Sequence, residues 1–161
     1  FFLFTPMLHE VAASDLDITH IVSPARKLLK RVDFYHGSIE KIDLPNKKVY
    51  ASHGQGEKYH THELNYTHLV IGLGAITNFF NLPGLAENAL TMKSLGDAIH
   101  LRNHLISNLE EADFECFPEQ REPLLTFVVA GGGFAGVETI AGINDFLHEA
   151  LPFYPHLQTE M

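Results

Sequence analysis

A short apolar run that ends in glycines and passes straight into an amphipathic stretch limits most of what this chain can become. Residues Leu124-Leu125-Thr126-Phe127-Val128-Val129-Ala130 are nearly all apolar and rich in β-branched and aromatic side chains, as a central parallel strand must be. Gly131-Gly132-Gly133-Phe134-Ala135-Gly136 follows directly and satisfies GxGxxG. In that motif the first glycine permits the tight turn, Gly133 lets backbone approach a pyrophosphate, and Gly136 lets the helix pack closely on the sheet. The stretch from about Ala135 carries Val137, Ile140, Ile143 and Leu147 at helical spacing and ends before Pro152. Its first N–H groups should therefore point at the phosphates. A glycine-rich turn that binds nothing is the competing interpretation, and the strand before and helix after favour the dinucleotide.

Gly142 is locally unfavourable inside a helix, and close packing on a strand would explain it. Glu138 follows the last glycine by two residues, which places it in the expected first turn, where a carboxylate complements the helix dipole. The acidic residue that grips the ribose hydroxyls belongs at the end of the next strand. Glu160 stands at about that distance without an apolar strand before it, and it is not assigned the role.

Upstream, Thr5-Pro6 looks like an N-cap with Pro at the first helical position, opening a short helix through Met7, Leu8, Val11 and Ala12. Ser23-Pro24 repeats the device ahead of residues 25–31. Val32 and Phe34, then Ile39, Ile42, Val49 and Tyr50, fall in short β-type runs, with turns at Pro45-Asn46 and at residues 53–56. Leu69-Val70-Ile71-Gly72-Leu73-Gly74 has the pattern of a strand buried on both faces, and glycines at its carboxyl end would let backbone close on a ligand. Ser94 with Asp97 forms a capping-box variant, and Leu95, Ala98, Leu101, Leu105 and Leu109 give the helix behind it an apolar stripe. Residues 110–123 are expected to be a polar, acidic link, and a domain boundary is placed near Thr91.

Composition narrows the function classes. A formal net charge of -9, with only 11 Lys and Arg and no dominant basic patch, opposes nucleic-acid binding. Cys116 is the sole cysteine, so disulfide, CxxC redox and dithiol chemistry within this segment are excluded, and electron chemistry must come from a cofactor. Among the 11 histidines, His60 with His62 and His100 with His104 are spaced for a metal, but neither pair has a supporting cysteine or His-Glu-x-x-His arrangement, and no metal site is expected. No run reaches the length of a membrane span, which makes the cytoplasm the default expectation. The chain opens on Phe1-Phe2-Leu3-Phe4 and stops at Met161, where a nucleotide-binding unit would need its next strand, and so is expected to be an internal piece of a longer protein.

Beyond these motifs the chain resembles the pyridine nucleotide-disulfide oxidoreductase superfamily, and within it the type II (alternative) NADH:quinone dehydrogenases. The resemblance lies in Phe4-Thr5-Pro6-Met7-Leu8-His9-Glu10-Val11-Ala12, in residues 69–75 with Thr77-Asn78-Phe79-Phe80, in Leu90-Thr91-Met92-Lys93-Ser94-Leu95-Gly96-Asp97-Ala98, and in residues 131–138. It implies an α/β, Rossmann-like two-dinucleotide-binding flavoprotein fold in incomplete form, with a β-meander between the two parts. Residues 1–90 would belong to an FAD-binding domain and residues 91–161 would begin an inserted NAD(H)-binding domain. Thr5 and Pro6 would lie beside the isoalloxazine, Ile39 would meet the adenine of FAD, and Gly74 and Ala75 would close over the FAD. Gly131, Gly133, Phe134, Ala135 and Gly136 would hold NADH, and Glu138 would stand near the nicotinamide and flavin rings as the catalytic candidate.

The activity implied is hydride transfer from NADH to flavin and electron transfer on to a quinone, without proton pumping, in a respiratory chain. FAD and NADH are the cofactors and a quinone is the acceptor. Peripheral membrane contact on the inner face of the cell membrane and a homodimer are implied for the longer protein. The FAD pyrophosphate glycines, the distal FAD aspartate, the quinone pocket and the membrane anchor of that family lie outside this chain, so the isolated segment is expected to be inactive. The alternatives are another FAD- and NAD(P)H-dependent reductase of the superfamily and a non-catalytic dinucleotide-binding protein.

Overall fold

The structure is a computed structural model that describes residues 1–157 of the chain. Residues 158–161, Glu160 and the end of the expected second domain included, lie outside the described part. The chain divides into two compact units, one of Phe1–Leu28 with Ile76–Met161 and one of Leu29–Ala75.

In the first unit β1 (Phe2–Leu3) pairs antiparallel with β2 (Val22–Ser23), and between them lie a 3-10 turn at Thr5–Met7, α1 (Leu8–Ala12) and α2 (Ile18–Ile21). The cap position of the turn is Phe4 rather than Thr5, because the Phe4 N–H is already bonded to the Ile21 carbonyl at 2.9 Å. At its far end α1 closes in a Schellman arrangement, with Ser14 N–H donating to Val11 O at 3.2 Å and Asp15 N–H to Glu10 O at 2.9 Å. Ser14 holds the required left-handed conformation at φ +66°. The helix expected over residues 25–31 is the single turn α3 (Ala25–Leu28).

In the second unit β3 (Ser38–Asp43), β4 (Lys48–His53) and β5 (His60–Asn65) make the expected antiparallel meander in the order β3-β4-β5. Val49 and Ala51 of the central strand are buried on one face, as period-two alternation requires. Val32 and Phe34 join no strand and are exposed.

Returning to the first unit, the chain continues through α4 (Leu85–Asn88), α5 (Leu95–Phe114), α6 (Pro118–Leu124), α7 (Phe134–Ala150) and a 3-10 turn at Leu151–Phe153. The expected capping box starts α5: Asp97 N–H donates to Ser94 Oγ at 3.2 Å while Ser94 N–H donates to Asp97 Oδ2 at 2.9 Å. The apolar stripe of α5 serves two clusters. Ala98 packs with Leu8, Val11, Ala12 and Ile21, and Leu105, Leu109 and Ala112 pack with Ile143, Leu147 and Leu157. Leu105 and Leu109 are fully buried, each contributing roughly 1.5–3 kcal/mol by removal from water.

Residues 110–123 are mostly helical instead of a link. Ala112 extends the stripe of Leu105 and Leu109 by one more turn, which carries α5 to Phe114, and Pro118 then opens α6. The tail beyond α7 is tied back to α5 by Tyr154 Oη donating to Glu110 at 3.0 Å and His156 N–H to Asp113 at 3.0 Å.

Neither expected buried strand forms. Leu124 ends α6 and residues 126–130 run on outside any strand, because among the described residues no ladder partner lies beside them. The side chains still alternate: Leu125, Phe127 and Val129 lean on the core, while Thr126, Val128 and Ala130 face out, Val128 with 86% of its surface exposed. Residues 69–74 likewise join no ladder, with Val70 and Leu73 almost fully exposed.

Candidate dinucleotide-binding site

The turn after residue 130 needs glycine for two different reasons. Gly131 sits at φ +134°, a conformation closed to side chains. Gly136 faces that turn so closely that a Cβ there would lie 1.9 Å from the Gly131 carbonyl oxygen and 3.5 Å from Val129 Cγ1. Between them, a Cβ at Gly132 or Gly133 would meet nothing within 4 Å, so the backbone there is open to an approaching group.

Gly133 caps α7 with φ -78° and ψ 176°, and its carbonyl accepts the Val137 N–H at 3.0 Å. No side chain caps this end and no acidic residue stands in the first turn. The first N–H groups of a helix have no intrahelical acceptor, and here they are offered at an open glycine turn with the positive end of the dipole behind them. That donor set fits an anionic pyrophosphate.

Glu138 is the fifth residue of α7, one residue further in than expected and so just past the first turn, and it does not cap the helix. It is half exposed, and its Oε2 lies 3.7 Å from Nδ1 of His9 on α1. His9 is 18% exposed and presents its other nitrogen to Glu10 Oε1 at 3.2 Å. One turn along, a Cβ on Gly142 would lie 3.1 Å from the Cβ of Ala13, so the glycine accommodates α1 and not the strand expected there. The α7 residues Val137 and Ile140 are not core, being 57% and 39% exposed. At the far end of this seam burial raises the Asp15 carboxyl above its ordinary value, and Glu10, Glu149 and Asp145 push the same way.

Thr5 and Pro6 lie exposed on the turn that leads into α1, in the same unit as the glycine turn and Glu138. Ile39 is half exposed at the β-bulge in β3 of the other unit, and Gly74, at φ +75°, and Ala75 end that unit. Thr77, Asn78 and Phe79 line an open cleft of about 520 Å³ with Leu82 and Pro83, and Phe80 is 76% exposed. His62 bonds His53 at 3.0 Å instead of pairing with His60, and His100 and His104 are exposed. Among the described residues no group of three or more His, Cys, Asp or Glu side chains could hold a metal ion. His9 was not among the sequence candidates. The signal for it is the matched i,i+4 spacing of His9 with Ala13 and Glu138 with Gly142, which means nothing until the two helices are known to touch.

Residues 1–151 match the family model described as pyridine nucleotide-disulphide oxidoreductase. The chain is 35% identical to the External NADH-ubiquinone oxidoreductase 2, mitochondrial, of Saccharomyces cerevisiae, over 100% of this chain and 31% of the yeast protein. It is 36% identical to the External alternative NAD(P)H-ubiquinone oxidoreductase B4, mitochondrial, of Arabidopsis thaliana, over 98% of this chain and 28% of that one. The structure superposes on that of NDH2 from Plasmodium falciparum in complex with NADH with a TM-score of 0.75 at 27% identity, covering 95% of this chain and 32% of that chain. The complex of the same protein with RYL-552 gives 0.78 at 25% identity. The chain therefore spans about 28–32% of the length of these relatives and carries that portion of a Rossmann-like α/β flavoprotein fold, meander included.

Proposed function

The chain belongs to the pyridine nucleotide-disulphide oxidoreductase family, and from that premise we propose that the whole protein is an FAD-dependent NADH:quinone oxidoreductase of the type II, non-proton-pumping kind. The observation that carries the proposal is the uncapped start of α7 on a turn where Gly131 and Gly136 are sterically required and Gly133 is open.

In this reading the backbone of Gly131, Gly133, Phe134, Ala135 and Gly136 holds the pyrophosphate of NADH through donors that need no charged side chain. Thr5 and Pro6 border the flavin ring, Ile39 meets the adenine of FAD, and Gly74 and Ala75 cover the FAD. Glu138 stands at the nicotinamide end, just past the first turn that offers the phosphate donors. FAD, when bound, supplies the two-electron chemistry that accepts hydride and passes electrons to quinone. The residues of this chain bind, orient and exclude water.

Residues 1–90 are assigned to the FAD-binding part and residues 91–161 to the start of the NAD(H)-binding part. Among the described residues no helix is long and apolar enough to cross a membrane, and contact with the inner face of the membrane, like a homodimer, is assigned to the protein beyond this segment.

The test is to express the gene at full length, record the visible spectrum, add NADH anaerobically and then a short-chain quinone. Bleaching of flavin bands followed by quinone-driven recovery is the expected result, with the cycle slowed at its bleaching step in Glu138→Ala. A flavin-free protein, or bound flavin that NADH cannot reduce, would sink the assignment.

A further inference from the structure

The contact between α1 and α7 is built from two matched pairs. Ala13 and Gly142 are the small residues that let the helices approach, and one turn away His9 and Glu138 face each other at 3.7 Å. An extended carboxylate that is half exposed on a helix surface samples several rotamers unless something selects one. Here the candidate selector is unusually fixed. The His9 ring is mostly buried, and Glu10 engages Nε2 at 3.2 Å, which leaves Nδ1 turned toward Glu138. A neutral imidazole can donate to only one of these carboxylates, whereas an imidazolium donates to both at once. The remaining packing on α1 from α5 is apolar, through Ala98, Leu95 and Leu101.

We propose that His9 is a positioning residue for Glu138: held by Glu10 and by the close α1–α7 contact at Gly142, it fixes the Glu138 carboxylate in the orientation used at the nicotinamide end of the site. This rests on the function proposed above for its catalytic meaning, while the coupling of the two side chains does not. His9 touches no reacting atom in this scheme. Its effect passes through Glu138 alone, and that gives the idea a sharp consequence.

The experiment uses the full-length, flavin-loaded protein in four forms: wild type, His9→Leu, Glu138→Gln and the double variant, with His9→Gln as the conservative replacement that keeps a donor. Flavin bleaching by saturating NADH should slow by about fivefold in His9→Leu, the size of one side-chain polar contact. Reoxidation by quinone should stay unchanged, and His9→Gln should recover most of the loss. In the Glu138→Gln background His9→Leu should add nothing further.

A second readout does not depend on turnover. The side-chain ¹⁵N resonances of His9, identified by their loss in His9→Gln, should move when Glu138 is changed to Gln. Additive losses in the double variant, or His9 resonances that ignore Glu138→Gln, would overturn the proposal. If wild-type flavin is not bleached by NADH, the function proposed above fails, and the His9 resonances alone then decide whether the pair is coupled.

Discussion

A Cβ placed on Gly142 of α7 would lie 3.1 Å from the Cβ of Ala13 at the end of α1. That distance is tight enough to discriminate between substitutions. Gly142→Ala gains helix propensity of about 1 kcal/mol and asks Ala13 to give by a few tenths of an ångström, so the two effects nearly offset. Gly142→Val adds branches that α1 cannot accommodate and should cost roughly 1–3 kcal/mol by overpacking. Thermal unfolding of both variants checks this. If Gly142→Val were as stable as Gly142→Ala, the helices would not be in contact there.

The glycine turn makes the opposite kind of prediction, because its residues differ in what surrounds them. Gly136→Ala drives a Cβ to within 1.9 Å of a main-chain oxygen, so the turn or the helix must shift, and a loss of at least about 2 kcal/mol is expected. Gly133→Ala has an ordinary φ and open space, so its stability should stay within about 0.5 kcal/mol of wild type. Its NADH affinity should nevertheless fall by about tenfold or more, since the methyl would stand where the phosphate is meant to come. Titration of NADH alongside thermal unfolding separates the two positions, and a Gly133→Ala protein that binds NADH normally would argue against a phosphate at that turn.

How far the sequence could be read depended on whether each signal was local. Ser94 and Asp97 are three residues apart and satisfy each other, so the capping box was visible as a pattern and appears with both bonds. The start of α7 was visible for the same reason. The meander strands could be read from their β-type runs and turns, but the two buried strands expected at residues 69–74 and 124–130 could not, because an apolar run reports burial and says nothing about whether another strand is present to bond. Residues 125–130 keep the alternation without the ladder. Gly142 announced close packing, expected to be on a strand, and its partner is instead Ala13 at the end of a helix. His9 and Glu138 lie far apart along the chain, and no spacing rule connects them before α1 and α7 are packed.

The capping box should be measurable at the bench. Ser94→Ala removes the acceptor for the Asp97 N–H and should cost about 1 kcal/mol. Burial alone would raise the Asp97 carboxyl, but the N–H groups of Lys93 and Ser94 and the side chains of Ser94 and Thr91 outweigh it and hold the group below its ordinary value. A carboxyl lowered in the folded state adds stability that is present above its unfolded pKa and is lost as pH falls through its folded one. Asp97→Ala should therefore lower the melting temperature at pH 7, and the gap to wild type should close as the pH drops through the carboxylate range. A gap that stayed constant down to pH 2 would mean that the ionised group contributes nothing.

Asp15 should behave in the reverse sense. Its carboxyl is raised, first by burial and then by Glu10, Glu149 and Asp145, so the folded state holds the proton more tightly than the unfolded chain does. Stability then falls with rising pH between the unfolded and folded pKa values, and the cost of the ionised group is fully present above the folded one. Asp15→Asn removes that cost at pH 7 and supplies an amide that can donate to Glu10, where the wild type sets one carboxylate against another. The main-chain bond from residue 15 to Glu10 O, which closes α1, does not depend on the side chain and survives the change. The variant should melt above wild type at pH 7, by a small margin because the site is exposed and salt screens it. The advantage should shrink below about pH 4, where the wild-type carboxyl is protonated in both states. Melting curves at low and high salt across that range would check the sign, and an advantage that grew on acidification would show that neither burial nor the neighbouring carboxylates hold the Asp15 proton.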